Sequence, residues 1–335
     1  MNQDSSPQTA LFRMIRERLA PNLSLVHEIS ELLDISYDSA YRRIRCEKEL
    51  NVEELRRLCY QYSISIDSLF NLTGANTVFQ SRAIGQDGFT FYEYLRQLMG
   101  EIKVIHDARE RYIIYSAKDI PLFHFFQFPE IAAFKVYFWH KALFPSHDVN
   151  NKLFVPEIVG ELFDAGRFMM STYSKIPTVE LWNEETITSI LRQIDYCFIS
   201  GFFADRDDAF HLCDVLETWV RHVQHQAEHG FRFPYGADPV GIEDSYKLYY
   251  NEVLLSDNTI LVEMDGKKTT YLTYNIINLL ITDNPDFCDQ IENSLRIVMQ
   301  KSTLISGTSA KERNRFFNVL VDKIRKLKES MESVS

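Results

Sequence analysis

The chain has 335 residues, a length that suggests about two domains. Hydrophobic residues make up 45% and charged residues 25%, the mix of a globular protein, which excludes collagen-like, low-complexity and wholly disordered classes. Lys+Arg total 36 against 47 Asp+Glu, a formal charge of −11, so a role that coats nucleic acid along the whole chain is excluded, while a local contact through a few cations stays open.

No uninterrupted apolar run reaches the roughly 18 residues of a membrane span. The start, MNQDSSPQTA, lacks the basic and apolar regions of a signal peptide. Five cysteines, at 46, 59, 197, 213 and 288, form no CxxC, and the chain is too long to need disulfide staples. Reduced thiols in a cytoplasmic protein with no membrane partner are expected.

Residues 1–72 read as a bundle of short helices. The first runs from Thr9 to Leu19. Ser24 can cap a second at Leu25 to Leu33, whose Leu25, Val26, Ile29, Leu32 and Leu33 form a helical stripe. After a turn at Asp34 and Ile35, Ser36 caps a third helix, Tyr37 to Arg45. Asn51 caps a fourth, with Glu54 placed to reach back, and Ser65 opens a last turn through Phe70. This block carries 9 basic and 11 acidic residues, so it is not basic overall.

Within it, EISELLDISYDSAYRRIRC holds two short helices around a tight turn. Ile29, Leu33, Ile35, Ala40 and Ile44 face inward, and Ala40 is small enough for close helix contact. Tyr37, Asp38, Tyr41, Arg42 and Arg45 lie on the other face of the third helix, which can enter a major groove while its back packs on the bundle. The ELLDIS turn, SYDSAYRRI and LNVEELRRLCYQYSISIDSLF resemble the lambda-repressor-like (Cro/repressor, XRE-type) helix-turn-helix domain over about 60 residues. Asp34 and Cys46 stand where that family often has glycines; Asp tolerates positive φ better than most residues.

The resemblance implies binding to double-stranded DNA. By position Tyr37, Asp38, Tyr41 and Arg42 face base edges, where arginine can pair with guanine and an acid can accept from cytosine. Ser36, Arg43, Arg45 and Lys48 are placed for phosphates, which position without specifying. The alternative is a solvated helix face on a protein-interaction adaptor.

Thr73 to Phe89, with three glycines and no helical stripe, reads as part of a linker over 73–90. Residues 91–335 read as a larger, mostly helical effector or oligomerisation domain, so the expected fold is mainly α with one small β-hairpin. Phe91, Leu95, Leu98, Ile102, Ile105 and Tyr112 follow 4-3 spacing, a seam that packs on its own domain or pairs two chains; own packing is slightly favoured. Residues 112–144 hold 11 aromatics broken by Pro121 and Pro129, which form core or, less expectedly, the wall of an effector pocket.

Further helices are expected at about 152–172, 178–203 and 205–229. His211, His222, His225 and His229 share helical spacing that metals can use, but they lie mostly opposite the apolar stripe, so an exposed polar face is the favoured reading. Asp265-Gly266 between apolar, β-branched runs marks a hairpin over Ile260 to Tyr274. KSTLISGTSAKERNR, at 301–315, reads as a capped loop rather than an anion cradle and lacks Walker spacing. A final helix at about 309–331 carries Phe316, Phe317, Leu320, Ile324 and Leu327 on one stripe, to seal the domain or aid oligomerisation. No GxSxG, HExxH, GxGxxG or paired Cys/His spacing occurs. The expected protein is a non-enzymatic, cofactor-free transcriptional regulator, a homodimer on DNA, with an unknown small-molecule or protein effector.

Overall fold

A computed structural model describes residues 6–19, 23–70, 77–81, 91–143, 152–157, 160–253, 255, 257–274 and 277–334. The chain divides into two compact units, Met1–Val78 and Phe79–Ser335. Of the linker expected at 73–90, only 77–81 is described; Gln80–Ser81 is a short strand, β1.

The first unit holds α1 (Pro7–Arg18), α2 (Leu25–Leu33), α3 (Tyr37–Ile44), α4 (Val52–Gln61) and α5 (Ile66–Phe70). The Ser6 hydroxyl accepts from the Thr9 N–H and Pro7 occupies the first turn, which sets where α1 starts. Ser24 makes no side-chain capping bond to α2, whereas Ser36 and Asn51 cap α3 and α4 as expected, the latter with Glu54 in a reciprocal capping box. Leu11, Phe12, Ile15, Leu25, Ile29, Leu33, Ala40 and Leu58 form the shared core.

The second unit is not the mainly helical domain with one hairpin that the sequence suggests. Its helices surround a mixed eight-stranded sheet, so neither a mainly α nor an all-α description holds. The remaining elements in chain order are α6 (Phe91–Asp107), β2 (Arg111–Ser116), a 3-10 turn (Leu122–Gln127), α7 (Pro129–Leu143), α8 (Gly160–Tyr173), β3 (Thr178–Trp182), α9 (Thr188–Ile199), α10 (Asp207–His229), β4 (Tyr246–Tyr250), β5 (Thr259–Met264), β6 (Lys267–Thr273), β7 (Leu279–Thr282), α11 (Pro285–Gln300), β8 (Thr303–Leu304) and α12 (Ala310–Val334). Strand order is β1-β7-β6-β5-β2-β3-β4-β8. β2, β3 and β4 run parallel, joined by helical crossovers, and the other pairings are antiparallel.

The missed strands are the central ones. YIIYS and TVELW are covered on both faces, so alternation disappears, and TVELW, expected to open a helix over 178–203, is a strand instead. Ile114, Val179, Leu181 and Leu261 pack with Cys288 and Leu295 of α11 on one face. Ile113, Tyr115, Trp182, Leu248 and Val262 face a larger core shared with α6–α10 and α12. The expected hairpin is there, Asp265 and Gly266 both at positive φ, as a two-residue turn between β5 and β6 requires.

Phe91, Leu95, Leu98, Ile102 and Ile105 of α6 are buried within this unit, and the helix stops at Asp107, so Tyr112 belongs to β2 instead of the seam. Phe316, Phe317, Leu320 and Ile324 of α12 likewise close the core. His222 departs from the expected exposed face. It is buried, its Nε2 3.0 Å from the Phe233 carbonyl, and burial pushes the imidazole down to about 4. Among the described residues no group of three or more potential metal ligands converges. The 301–315 loop is bound to its own helix: the Arg313 guanidinium donates to the carbonyls of Ile305 at 3.1 Å and Thr308 at 2.8 Å.

One carboxylate stands at the centre of the second unit. Glu180, on β3, the middle one of the three parallel strands, is fully buried. It accepts from Arg232 at 3.0 Å, the Tyr173 hydroxyl at 2.7 Å and the Tyr246 hydroxyl at 3.0 Å, and lies 3.2 Å from His124 Nε2. Burial alone raises this carboxyl, but His124, Arg232 and Tyr173 outweigh it and hold it well below the usual carboxylate range. Nearby, Gly166 of α8 lets the Phe126 ring lie against the helix backbone, where a Cβ would come within 2.0 Å of the ring.

Glu180→Gln removes the charge that Arg232 needs and turns an acceptor into a donor facing other donors. The expected loss is about 3–5 kcal/mol of stability, read by denaturant unfolding followed through Trp182 and Trp219, whose rings lie 5.5 and 6.0 Å from His124.

Candidate nucleic-acid interface

The face in question is built on eight residues of α3. Asp34 ends α2 in the left-handed conformation at φ 54, which turns the chain within three residues so that α3 can begin. Ala40 is fully buried against the core and Ile44 packs on its edge. A step of about 100° per residue then decides the rest. Ser36, Tyr37, Asp38, Tyr41, Arg42, Arg45 and Lys48 are exposed, as the sequence reading places them.

Arg43 is the correction. Expected at a phosphate, it is 4% exposed and turned into the first unit. Its Nε and one terminal nitrogen donate to the two Glu54 oxygens at 3.0 and 2.6 Å, and the other donates to the Ser39 carbonyl at 3.1 Å. Glu54 also accepts from the Asn51 N–H, so one carboxylate both closes the α4 capping box and fastens α3. The Arg43 hydrogen bond, ahead of the opposing effect of burial, holds the Glu54 carboxyl below its ordinary value.

The exposed side chains are partly ordered in advance. The Tyr37 hydroxyl meets His27 Nδ1 at 2.8 Å and the two rings stack at 5.9 Å, pinning Tyr37 to α2. The Arg45 guanidinium lies 5.6 Å over the Tyr41 ring and 3.2 Å from Glu47. Among the described residues no carboxylate forms an ion pair with Arg42 or Lys48. These two are the open cations of the face.

Gln8 of α1 was missed by the sequence reading. Its amide donates to the carbonyls of Arg43 and Lys48, each at 2.8 Å, and accepts from the Leu50 N–H at 3.0 Å. It therefore clamps the chain that leaves α3. No pattern marks it, because a single glutamine on a polar helix face has no periodic signature. Cys46, at φ 59, takes the left-handed position that ends the helix, with its thiol 3.2 Å from the Thr9 hydroxyl.

Comparison with protein-family models, curated proteins and solved structures finds no match to this chain.

Arg43 and Arg42 are expected to separate cleanly. Arg43→Ala lowers the local stability of α3 and α4 by about 2–3 kcal/mol, read as lost amide hydrogen-exchange protection in the full chain, whereas Arg42→Ala leaves it unchanged. Because the folded Glu54 carboxyl lies below its ordinary value, that contribution is present above about 4.5 and is lost as pH falls. Arg43→Ala is expected to flatten this acid dependence.

Proposed function

We propose that the chain is a sequence-specific, duplex-DNA-binding regulator of transcription that acts as a homodimer in the cytoplasm, with its second unit serving as sensor or oligomerisation domain. The observation that carries this reading is the division of α3: Ala40 and Arg43 are committed to the bundle, while Tyr37, Asp38, Tyr41 and Arg42 stand exposed on the opposite side. A helix so divided can enter a major groove without giving up its own packing. Arg42 is assigned to a guanine edge and Asp38 to a cytosine amino group. Arg45 and Lys48, with the Ser36 hydroxyl, are assigned to phosphates. The dimer follows from economy, since one eight-residue helix reads few bases and two copies reach half-sites about 34 Å apart.

Selection of random duplexes by the purified full chain is the direct test, with an enriched, two-fold symmetric motif as the expected result. Arg42→Ala then costs about 1–3 kcal/mol on that motif and relaxes one position, and Lys48→Ala weakens all sequences alike. With Arg45 and Lys48 as the phosphate-facing cations, the slope of log K against log salt is expected near −2 per chain. Recovery of no motif, with salt-insensitive capture of a protein instead, would favour the adaptor reading.

A further inference from the structure

The second unit contains a cavity of about 250 Å³ between α6, α7, α9 and the β5–β7 side of the sheet. Its walls are mainly apolar and aromatic, with Leu98, Phe123, Phe125, Trp139, Ile190 and Ile260 among them. Into it projects Lys135 of α7, a side chain only 5% exposed. Lys135 Nζ donates to Gln193 Oε1 at 2.7 Å and lies over the Phe125 and Trp139 rings at 4.8 and 4.7 Å. Among the described residues no carboxylate forms an ion pair with it.

A buried ammonium with Asp119 nearby but not in ion-pair contact still costs several kcal/mol, and one amide and two ring faces do not replace the water it has lost. Burial accordingly pushes the Lys135 amine down to about 7, with Asp119 opposing. A methionine would fill the same space at no such cost. A buried lysine at the wall of an aromatic cavity, with room beside it for an anion that would favour its charged form, points to a ligand site.

The cavity also has a mouth. An adjoining surface depression shares Asp119, Phe138, Ser189 and Gln193 with it and is rimmed by the exposed Lys118, Glu185 and Arg192. Beside Lys135 the titratable lining groups are Asp119, Tyr94 and Tyr115. The Asp119 N–H donates to the Asn258 side-chain Oδ1 at 3.1 Å.

We infer that this cavity binds a small aromatic monocarboxylate, with its carboxylate on Lys135 and its ring among Phe123, Phe125 and Trp139. One ammonium matches one negative charge; a phosphate dianion would need more donors than this wall supplies. A cavity of 150 Å³ admits benzene, so 250 Å³ suits a molecule of about ten heavy atoms. The inference stands on the second unit alone and does not depend on duplex binding.

The test is calorimetric titration of the full chain with benzoate, phenylacetate and cinnamate, each beside its neutral amide, with quenching of the tryptophan fluorescence, to which Trp139 contributes, as a second readout. Saturable binding with the acid at least tenfold tighter than the amide is expected. Lys135→Met is expected to abolish that preference while the protein stays folded, and Ser189→Trp at the mouth is expected to block binding of acids and amides alike. Equal affinity for acid and amide, no binding of any acid by the wild-type chain, or undiminished binding by Lys135→Met would overturn the inference. Should Lys135→Met fail to fold, Gln193→Leu, which removes the lysine's acceptor, is expected to change acid affinity at least threefold, and no change would count equally against it.

Discussion

The second unit is organised around a charge that water never reaches. Glu180 lies on the middle strand of the parallel core, and its partners come from four other places: His124 from the 3-10 turn, Tyr173 from α8, Arg232 from the segment after α10, and Tyr246 from β4. Arg232 adds a bond to the Ile176 carbonyl at 3.3 Å and lies over the Tyr173 ring at 4.0 Å. A buried carboxylate is tolerable only when nearly every lone pair is matched, so each element must be in place for the others to be stable. Such a network penalises alternative packings more than it adds net stability. It also reaches the cavity: Phe123, next to His124 in the turn, stacks on Tyr173 at 4.1 Å and forms part of the cavity wall. The wall is thus positioned by a polar core that does not itself touch the cavity.

How much of this could be read in advance depended on whether a segment has a wet side. Among the helices of the first unit, α3 and α4 were legible because each is short, capped and half-exposed, so period and cap agree. The Asp265-Gly266 hairpin was legible for its turn chemistry. YIIYS and TVELW were not, since strands buried on both faces lose alternation. Glu180 itself was invisible: a lone acid within TVELW looks like the solvent-facing residue of a helix. The same blindness hid His222, whose helical position predicts solvent until Phe233 covers it. Lys135 shows the reverse, an aromatic run whose cavity the sequence could only raise as one option.

The candidate interface was more legible than the fold, with one instructive failure. Arg42, Arg43 and Arg45 are the same residue type within four positions and have three fates. Arg42 stands in solvent, Arg43 is tied to Glu54, and Arg45 lies over Tyr41. Treating the cluster as a count of cations overstates its positive charge. The partner of Arg43 is itself visible in the sequence as the capping-box glutamate of α4, but nothing local reveals that the box also faces α3.

That reduced charge bears on how the proposed regulator would discriminate among sequences. With −11 overall and few open cations on α3, the chain gains little from long-range attraction, which solvent screens beyond about 8 Å in any case. For the proposed regulator, non-specific affinity, which rests almost wholly on phosphate charge, would therefore be weak. What remains must come from short-range contacts at base edges, and these exist only on the correct sequence. In a regulator of the proposed kind, weak electrostatics would raise the ratio of specific to non-specific binding even as it lowered absolute affinity, and a second copy of α3 would recover the affinity without eroding that ratio.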